Sequence, residues 1–238
     1  MRSLWNAVYV ENRKLSRSPV LWGMLVFLLF VTGIRSGGAD WNEHLGNMTF
    51  LFASVFGLMG FGTLTAWVFG REYTDRTVKD LLALPISRTT IVIAKSVAIA
   101  GWCVIATLTI FGFSLLLGLL IGIPGLSWRI VADQLGGLLL IAAFHLLLCS
   151  PVALLAGISR GYLVPIAYAF TTLMVALTAG PTALGAYLPW SIPALHLSMS
   201  HSGASSFPLG TASYAMLILL FGIGAIGTMF WWKKSDQR

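Results

Sequence analysis

Charged residues are scarce in this sequence: 15 Lys and Arg plus 8 Asp and Glu make 23 of 238. A soluble domain is about a quarter charged, so an ordinary water-soluble globule is excluded. Cysteine is nearly absent. Cys103 and Cys149 both lie inside apolar runs, which excludes a disulfide framework and a Cys-rich metal centre. His196 and His201 are five residues apart, on different faces of any helix, with no obvious third ligand, so no metal site is expected. No Lys follows a Gly, which excludes the G-x-x-x-x-G-K-[ST] phosphate loop. The net charge of +7 does not gather into one patch with interleaved aromatics, so nucleic acid is not an expected partner.

Apolar residues fill the space instead, at 57% of the chain, and they come in runs of about 20 residues, long enough to cross a bilayer as helices. These runs are solid, not alternating in polarity, which favours helices over a β-barrel. Six spans are predicted, at about 18–34, 48–70, 90–121, 136–158, 162–180 and 212–232. The fold class is therefore an all-α integral membrane protein with one transmembrane domain over 1–238 and the lipid bilayer as its surroundings.

Basic residues set the orientation. Arg2, Arg13, Lys14 and Arg17 precede the first span, and Arg71, Arg76, Lys79, Arg88 and Lys95 lie between the second and third. Arg160 sits between the fourth and fifth, and Lys233, Lys234 and Arg238 follow the last. Only Arg35 and Arg129 fall on the other side, a split of 13 to 2. Positive loops stay in the cytoplasm, so both termini are expected inside. Arg13–Arg17, the following apolar run and Gly37-Gly38-Ala39 have the outline of a cleavable signal peptide. However, the polar leader is long, Trp22 and Arg35 are awkward there, and removal would leave five spans with the N-terminus outside.

The leader 1–17 reads as an amphipathic helix lying in the membrane interface. Leu4, Trp5, Val8 and Leu15 share an arc of about 100°, with Arg2, Arg13, Lys14 and Arg17 opposite, toward anionic headgroups. The loop 72–88 carries a second two-faced pattern. Val78, Leu81 and Leu82 cluster on one side, and Glu72, Asp75, Arg76 and Lys79 on the other. Glu72–Arg76 and Asp75–Lys79 are acid-before-base pairs at four-residue spacing, each worth about 0.2–0.5 kcal/mol. Pro85 ends this predicted helix near Leu84. Ser87 or Thr89 can cap the third span, and Lys95 would snorkel back to the headgroups.

The residues Glu72, Thr77, Leu81, Leu82, Leu84, Pro85, Ser87, Arg88, Ile91 and Lys95, placed directly after the second span, resemble the membrane subunit of ABC transporters of the ABC-2 type. The length, six spans, inside termini and interfacial leader are similar too. The resemblance implies a permease without an ATP site of its own. It implies a separate ABC ATPase subunit that binds ATP and Mg, and a second permease subunit, identical or related. In that family this first cytoplasmic loop is the coupling helix seated in a cleft of the ATPase. Glu72, Asp75, Arg76, Thr77, Lys79, Leu81, Leu82, Pro85, Ser87 and Arg88 are the coupling residues it implies. The family also places short re-entrant helices in the last outer loop. Here 181–211 has no charged residue but four prolines, with Tyr187 and Trp190, and could line a substrate exit. The setting implied is the cytoplasmic membrane of a prokaryote, with an amphipathic or lipid-like cargo such as a peptide antibiotic.

Two rival classes lack their marks in this sequence. An ion-coupled secondary transporter needs ionisable coupling residues inside its spans and often internal repeats; only His145 lies well inside a span, and no repeat links the halves. A membrane enzyme needs clustered His, Asp, Glu or Ser at one depth. Gly157-Ile158-Ser159-Arg160-Gly161 matches the G-x-S-x-G letters but reads as a helix–helix turn, with His145 about 20 Å away along its helix. His145 is a candidate substrate-path residue or a neutral histidine bonded to a neighbouring helix. Gly118, Gly122 and the series Gly222, Gly224, Gly227 permit close helix packing.

Overall fold

The computed structural model describes residues 2–78, 86–202 and 209–234. All of the regular structure among them is helical. In chain order the α-helices are α1 (Arg2–Ser16), α2 (Pro19–Ile34), α3 (Trp41–Leu51), α4 (Gly57–Thr74), α5 (Arg88–Ile121), α6 (Trp128–Leu148), α7 (Ser150–Ser159), α8 (Leu163–Ala179), α9 (Ile192–Ser202) and α10 (Thr211–Lys234).

Four stretches are long and apolar enough to cross a membrane: Trp41–Thr74, Arg88–Ile121, Trp128–Ser159 and Thr211–Lys234. A fifth forms if α1 and α2, bent by 61°, count as one broken span, and α8 is a shorter apolar helix. In α10 only 22% of the most apolar window is buried, and Ile218, Ile223, Ile226 and Phe230 point outward at more than half exposure. So much outward apolar surface is stable in lipid and not in water. The protein is an all-α integral membrane protein.

Two spans differ in detail from the sequence reading. The second begins at Trp41, ahead of the expected start at Met48, because Glu43 and His44 look polar but have partners, Glu43 in its own turn and His44 on α5. Asp40 caps the helix by accepting from the Glu43 backbone N–H at 2.8 Å, and the Glu43 carboxylate accepts from Ala39 N–H at 2.7 Å. The Trp41 indole donates to the Ile123 carbonyl at 2.9 Å, and His44 Nε2 meets the Ser114 carbonyl at 2.8 Å. Between α3 and α4, Phe52–Phe56 form one π-helical turn within the continuous helix. The fourth span breaks at Cys149, just before Pro151, where α6 passes into α7.

The core lies between α2, α4, α5 and α6, around Leu21, Leu25, Phe61, Leu64, Cys103, Ile110, Leu138 and Ile141. A second cluster, Leu58, Leu148, Leu173, Ile192 and Leu217, joins α8 to α10 through α9. The small-residue reading holds in part. A Cβ on Gly224 would lie 2.5 Å from Pro151 N, and one on Gly118 would lie 2.5 Å from the Trp41 ring. Gly122 packs against nothing; its φ of +81° ends α5 in the left-handed region.

The loop 181–211 contains 3₁₀ turns at Ala183–Tyr187 and Pro189–Ser191 followed by α9. Ser159 Oγ donates to the Leu155 carbonyl at 2.7 Å and Arg160 has φ +52°, as a helix-ending turn requires. The strand context of a nucleophile elbow is missing there.

Candidate functional site

The ends of α1, α4 and α5 meet in a knot of four charges, of which Glu11, Glu72 and Lys95 are buried and Lys14 closes the outer side. Lys95 lies two turns into α5, and its side chain is 1% exposed. Its ammonium donates to Glu11 Oε2 at 3.3 Å and to the Val68 carbonyl at 3.1 Å, and it is ion-paired with Glu72 Oε1 at 3.0 Å. Lys14 completes the ring, 2.8 Å from Glu11 Oε1 and 3.0 Å from Glu72 Oε1. Two cations and two anions leave no net charge. Such neutrality is what a low-dielectric site requires, since an isolated buried charge costs several kcal/mol.

Lys95 therefore does not snorkel to the headgroups, and Glu72 does not stand on the outer face of a loop helix. Both turn inward, because a carboxylate and an ammonium that can reach each other inside the protein lose less than either does alone in an apolar place. Lys14 likewise leaves the basic face of α1 for this knot. For Glu11, burial pushes the carboxyl up, but the ammoniums of Lys95 and Lys14 outweigh it and hold the pKa below its ordinary value. For Lys14, burial pushes down, and the carboxylates of Glu11 and Glu72 reverse this and raise it.

Glu11 was missed by the sequence reading. It sits within the apolar arc of α1, seven residues after Leu4 and four before Leu15. A carboxylate in the middle of an apolar stripe is the signal that could have found it. That stripe is also divided: Leu15 is 1% exposed and faces the protein, where α1 packs on α5, whereas Trp5 is 67% exposed.

The helix read from Glu72 to Leu84 is interrupted. α4 ends at Thr74, and Arg76 takes φ +59°. The Arg76 N–H donates to Tyr73 O at 3.2 Å and the Thr77 N–H to Glu72 O at 2.9 Å, the paired bonds of a Schellman turn. The pair Glu72–Arg76 is accordingly not formed. Asp75 pairs instead with Arg71, at 2.9 Å. Glu72 thus ends a spanning helix, and Asp75, Arg76 and Thr77 are the exposed residues that follow. Lys79, Leu81, Leu82, Leu84 and Pro85 lie outside the described residues.

Beyond them Ser87 caps α5, accepting from the Thr90 N–H at 3.1 Å. Arg88 donates to the carbonyls of Trp232 and Lys233 at 3.2 and 3.4 Å, at the last turn of α10. Trp232 is fully buried against Phe69 and Tyr73 of α4. Both flanks of the loop 75–87 are therefore anchored, one by the charge knot and the other by α10.

His145 and Trp190 are in separate places. His145 is fully buried, its ring edge-on to Phe52 and Phe61 and facing the carbonyls of Phe52 and Ala53 at the π-turn. Trp190 packs on Tyr168 of α8. His196 Nδ1 lies 2.8 Å from the Tyr214 hydroxyl. Among the described residues, no group of three His, Cys, Asp or Glu converges as metal ligands would.

The family model described as ABC-2 family transporter protein matches residues 7–176, more than two thirds of the chain. The chain belongs to the ABC-2 family. It is also similar to the bacitracin transport permease protein BCRB of Bacillus licheniformis, with 25% identity over 195 residues, 82% of this chain and 92% of that protein. The ABC-2 match begins within α1 and ends within α8. It thus takes in all four members of the charge knot and both flanks of the loop.

Proposed function

We propose that this ABC-2 protein is the permease subunit of an ATP-driven exporter. It crosses the cytoplasmic membrane of a prokaryote six times with both termini inside: α2, α3–α4, α5, α6–α7, α8 and α10 are the crossings. The basic split of 13 to 2 across these crossings supports the orientation. Two permease subunits pair with a separate ABC ATPase, which binds the ATP and Mg. The relative named for bacitracin transport supports a peptide antibiotic as cargo.

One observation carries the mechanical part. The segment from Asp75 to Ser87 leaves α4 one turn after Glu72 and enters α5 two turns before Lys95, and these residues are ion-paired at 3.0 Å. A push on the segment then moves α4, α5 and α1 together, because sliding one alone would leave a buried charge unpaired. ATPase closure would reach the spans through this knot, with Asp75, Arg76 and Thr77 as outer contacts. Lys79, Leu81, Leu82 and Pro85 complete the contact surface on the family resemblance.

The test is reconstitution with a co-encoded ABC ATPase in proteoliposomes. Bacitracin should raise ATP hydrolysis and cross the bilayer only with ATP. ATP-independent movement that follows an ion gradient would refute the proposal and favour a secondary transporter.

A further inference from the structure

A second feature adjoins the knot and is not used by it. Where α1 bends into α2, a groove of about 640 Å³ opens between α1, the start of α2, the end of α4 and the start of α8. Roughly 300–1,000 Å³ is the usual size of a ligand site. Four cations line it, Arg13, Lys14, Arg17 and Arg71, against one carboxylate, Asp75. Lys14 is taken up by Glu11 and Glu72, and Arg71 by Asp75. The unmatched charge rests on Arg13 and Arg17, whose guanidiniums have no ionic or hydrogen-bonding partner among the described residues.

The walls are aromatic as well as basic. Trp67 lies beneath Arg71, 4.9 Å from its guanidinium carbon, and Tyr162 and the exposed Tyr9 form the rim. The far wall is fixed, because a Cβ on Gly70 would lie 2.6 Å from the Gly161 carbonyl carbon and 2.7 Å from Tyr162 N. α2 begins at this groove with Ser18 and Pro19, so its positive dipole end adds to the field. From there α2 presents Val26, Phe27 and Phe30 outward. A site lined by two exposed, unmatched guanidiniums, with aromatic rings at its rim and an apolar helix face leading away, matches an amphiphile with an anionic head.

We propose that this elbow groove holds the phosphate headgroup of an anionic phospholipid, with Arg13 and Arg17 as the phosphate ligands and the acyl chains lying along α2. A free phosphate shares the head chemistry but has no use for the apolar side. The inner leaflet as the lipid's location rests on the orientation proposed above; the retention of the lipid does not.

The experiment is native mass spectrometry of the protein in detergent, titrated with phosphatidylglycerol and phosphatidylcholine, with Arg13→Gln/Arg17→Gln beside wild type. Wild type should retain phosphatidylglycerol in preference to phosphatidylcholine. At about fivefold per basic residue near an anionic surface, the double variant should lose roughly 25-fold in that retention. Arg129→Gln, at an exposed cation away from the groove, should change nothing, and an unchanged melting temperature for lipid-free R13Q/R17Q shows that it still folds. Equal retention by R13Q/R17Q and wild type, or an equal loss in R129Q, overturns the site. Inorganic phosphate that stabilises wild type as much as phosphatidylglycerol overturns the lipid assignment. Cysteine labelling of topology reports separately on the orientation.

Discussion

Lys95, inside α5, is ion-paired with Glu72, at the end of α4, across 3.0 Å in a place where the lysine is 1% exposed. The pair ties together the two spans that flank the loop, and Glu11 and Lys14 bring α1 into the same unit.

Removing one charge should be far worse than removing two. Lys95→Met leaves Glu72 and Glu11 buried with Lys14 alone, and should cost about 3–5 kcal/mol. Lys95→Met/Glu72→Leu keeps the Lys14–Glu11 pair and restores neutrality, so it should cost clearly less than the sum of the single changes. Thermal unfolding in detergent measures both; additive losses would show that the four charges do not act as one unit.

The knot also sets a pH window. The Glu11 pKa is lowered from its ordinary 4.5, so its stabilisation is present above 4.5 and is lost as pH falls through the lower folded value. The Lys14 pKa is raised from 10.5, so its stabilisation is present below 10.5 and is lost as pH rises through the higher folded value. The melting temperature should be flat between these limits and fall outside them, and Glu11→Gln should flatten the acid side.

The reasons for the hits and misses are physical. The solid apolar runs made the helices legible, and Ser87 and Arg160 marked helix ends. The start at Trp41 was hidden because polar side chains were counted as loop, although Asp40 followed by Glu43 is a capping pattern that can be read directly. Lys95 was assigned to the headgroups because its partners are distant in sequence: Glu11 precedes it by 84 residues. Local spacing joined Glu72 to Arg76; the long-range partner won because it is inside the protein, where charge must be matched. The π-turn at Phe52–Phe56 has no local signature at all.

That turn is testable. A Cβ on Gly57 would lie 2.5 Å from His145 Nε2, so the histidine ring occupies the space the glycine leaves. Gly57→Ala should destabilise by about 1–3 kcal/mol through overpacking. His145→Ala in the Gly57→Ala background should recover part of that loss, measured again by thermal unfolding. No recovery would mean that His145 and Gly57 do not share this space.

Orientation is checked by membrane-impermeant thiol labelling. Cys103 and Cys149 are both buried and give a silent background. Asp40→Cys and Ser202→Cys should react in intact cells and Asp80→Cys only after permeabilisation. The reverse pattern would invert the topology and remove the loop from any cytoplasmic ATPase.

The most direct measurement is ATPase recruitment by a permease whose loop charges are reversed while its knot is intact. Asp75 and Arg76 are exposed, and Asp75→Lys/Arg76→Glu gives up only the exposed Asp75–Arg71 pair, so the melting temperature should fall only slightly, by the equivalent of about 1 kcal/mol or less. Co-purification of the partner ATPase with this variant should fall about tenfold or more, the scale of about 1.4 kcal/mol lost at a charged contact. Wild-type recovery of the ATPase by the folded variant would contradict the assignment of this loop as the coupling surface.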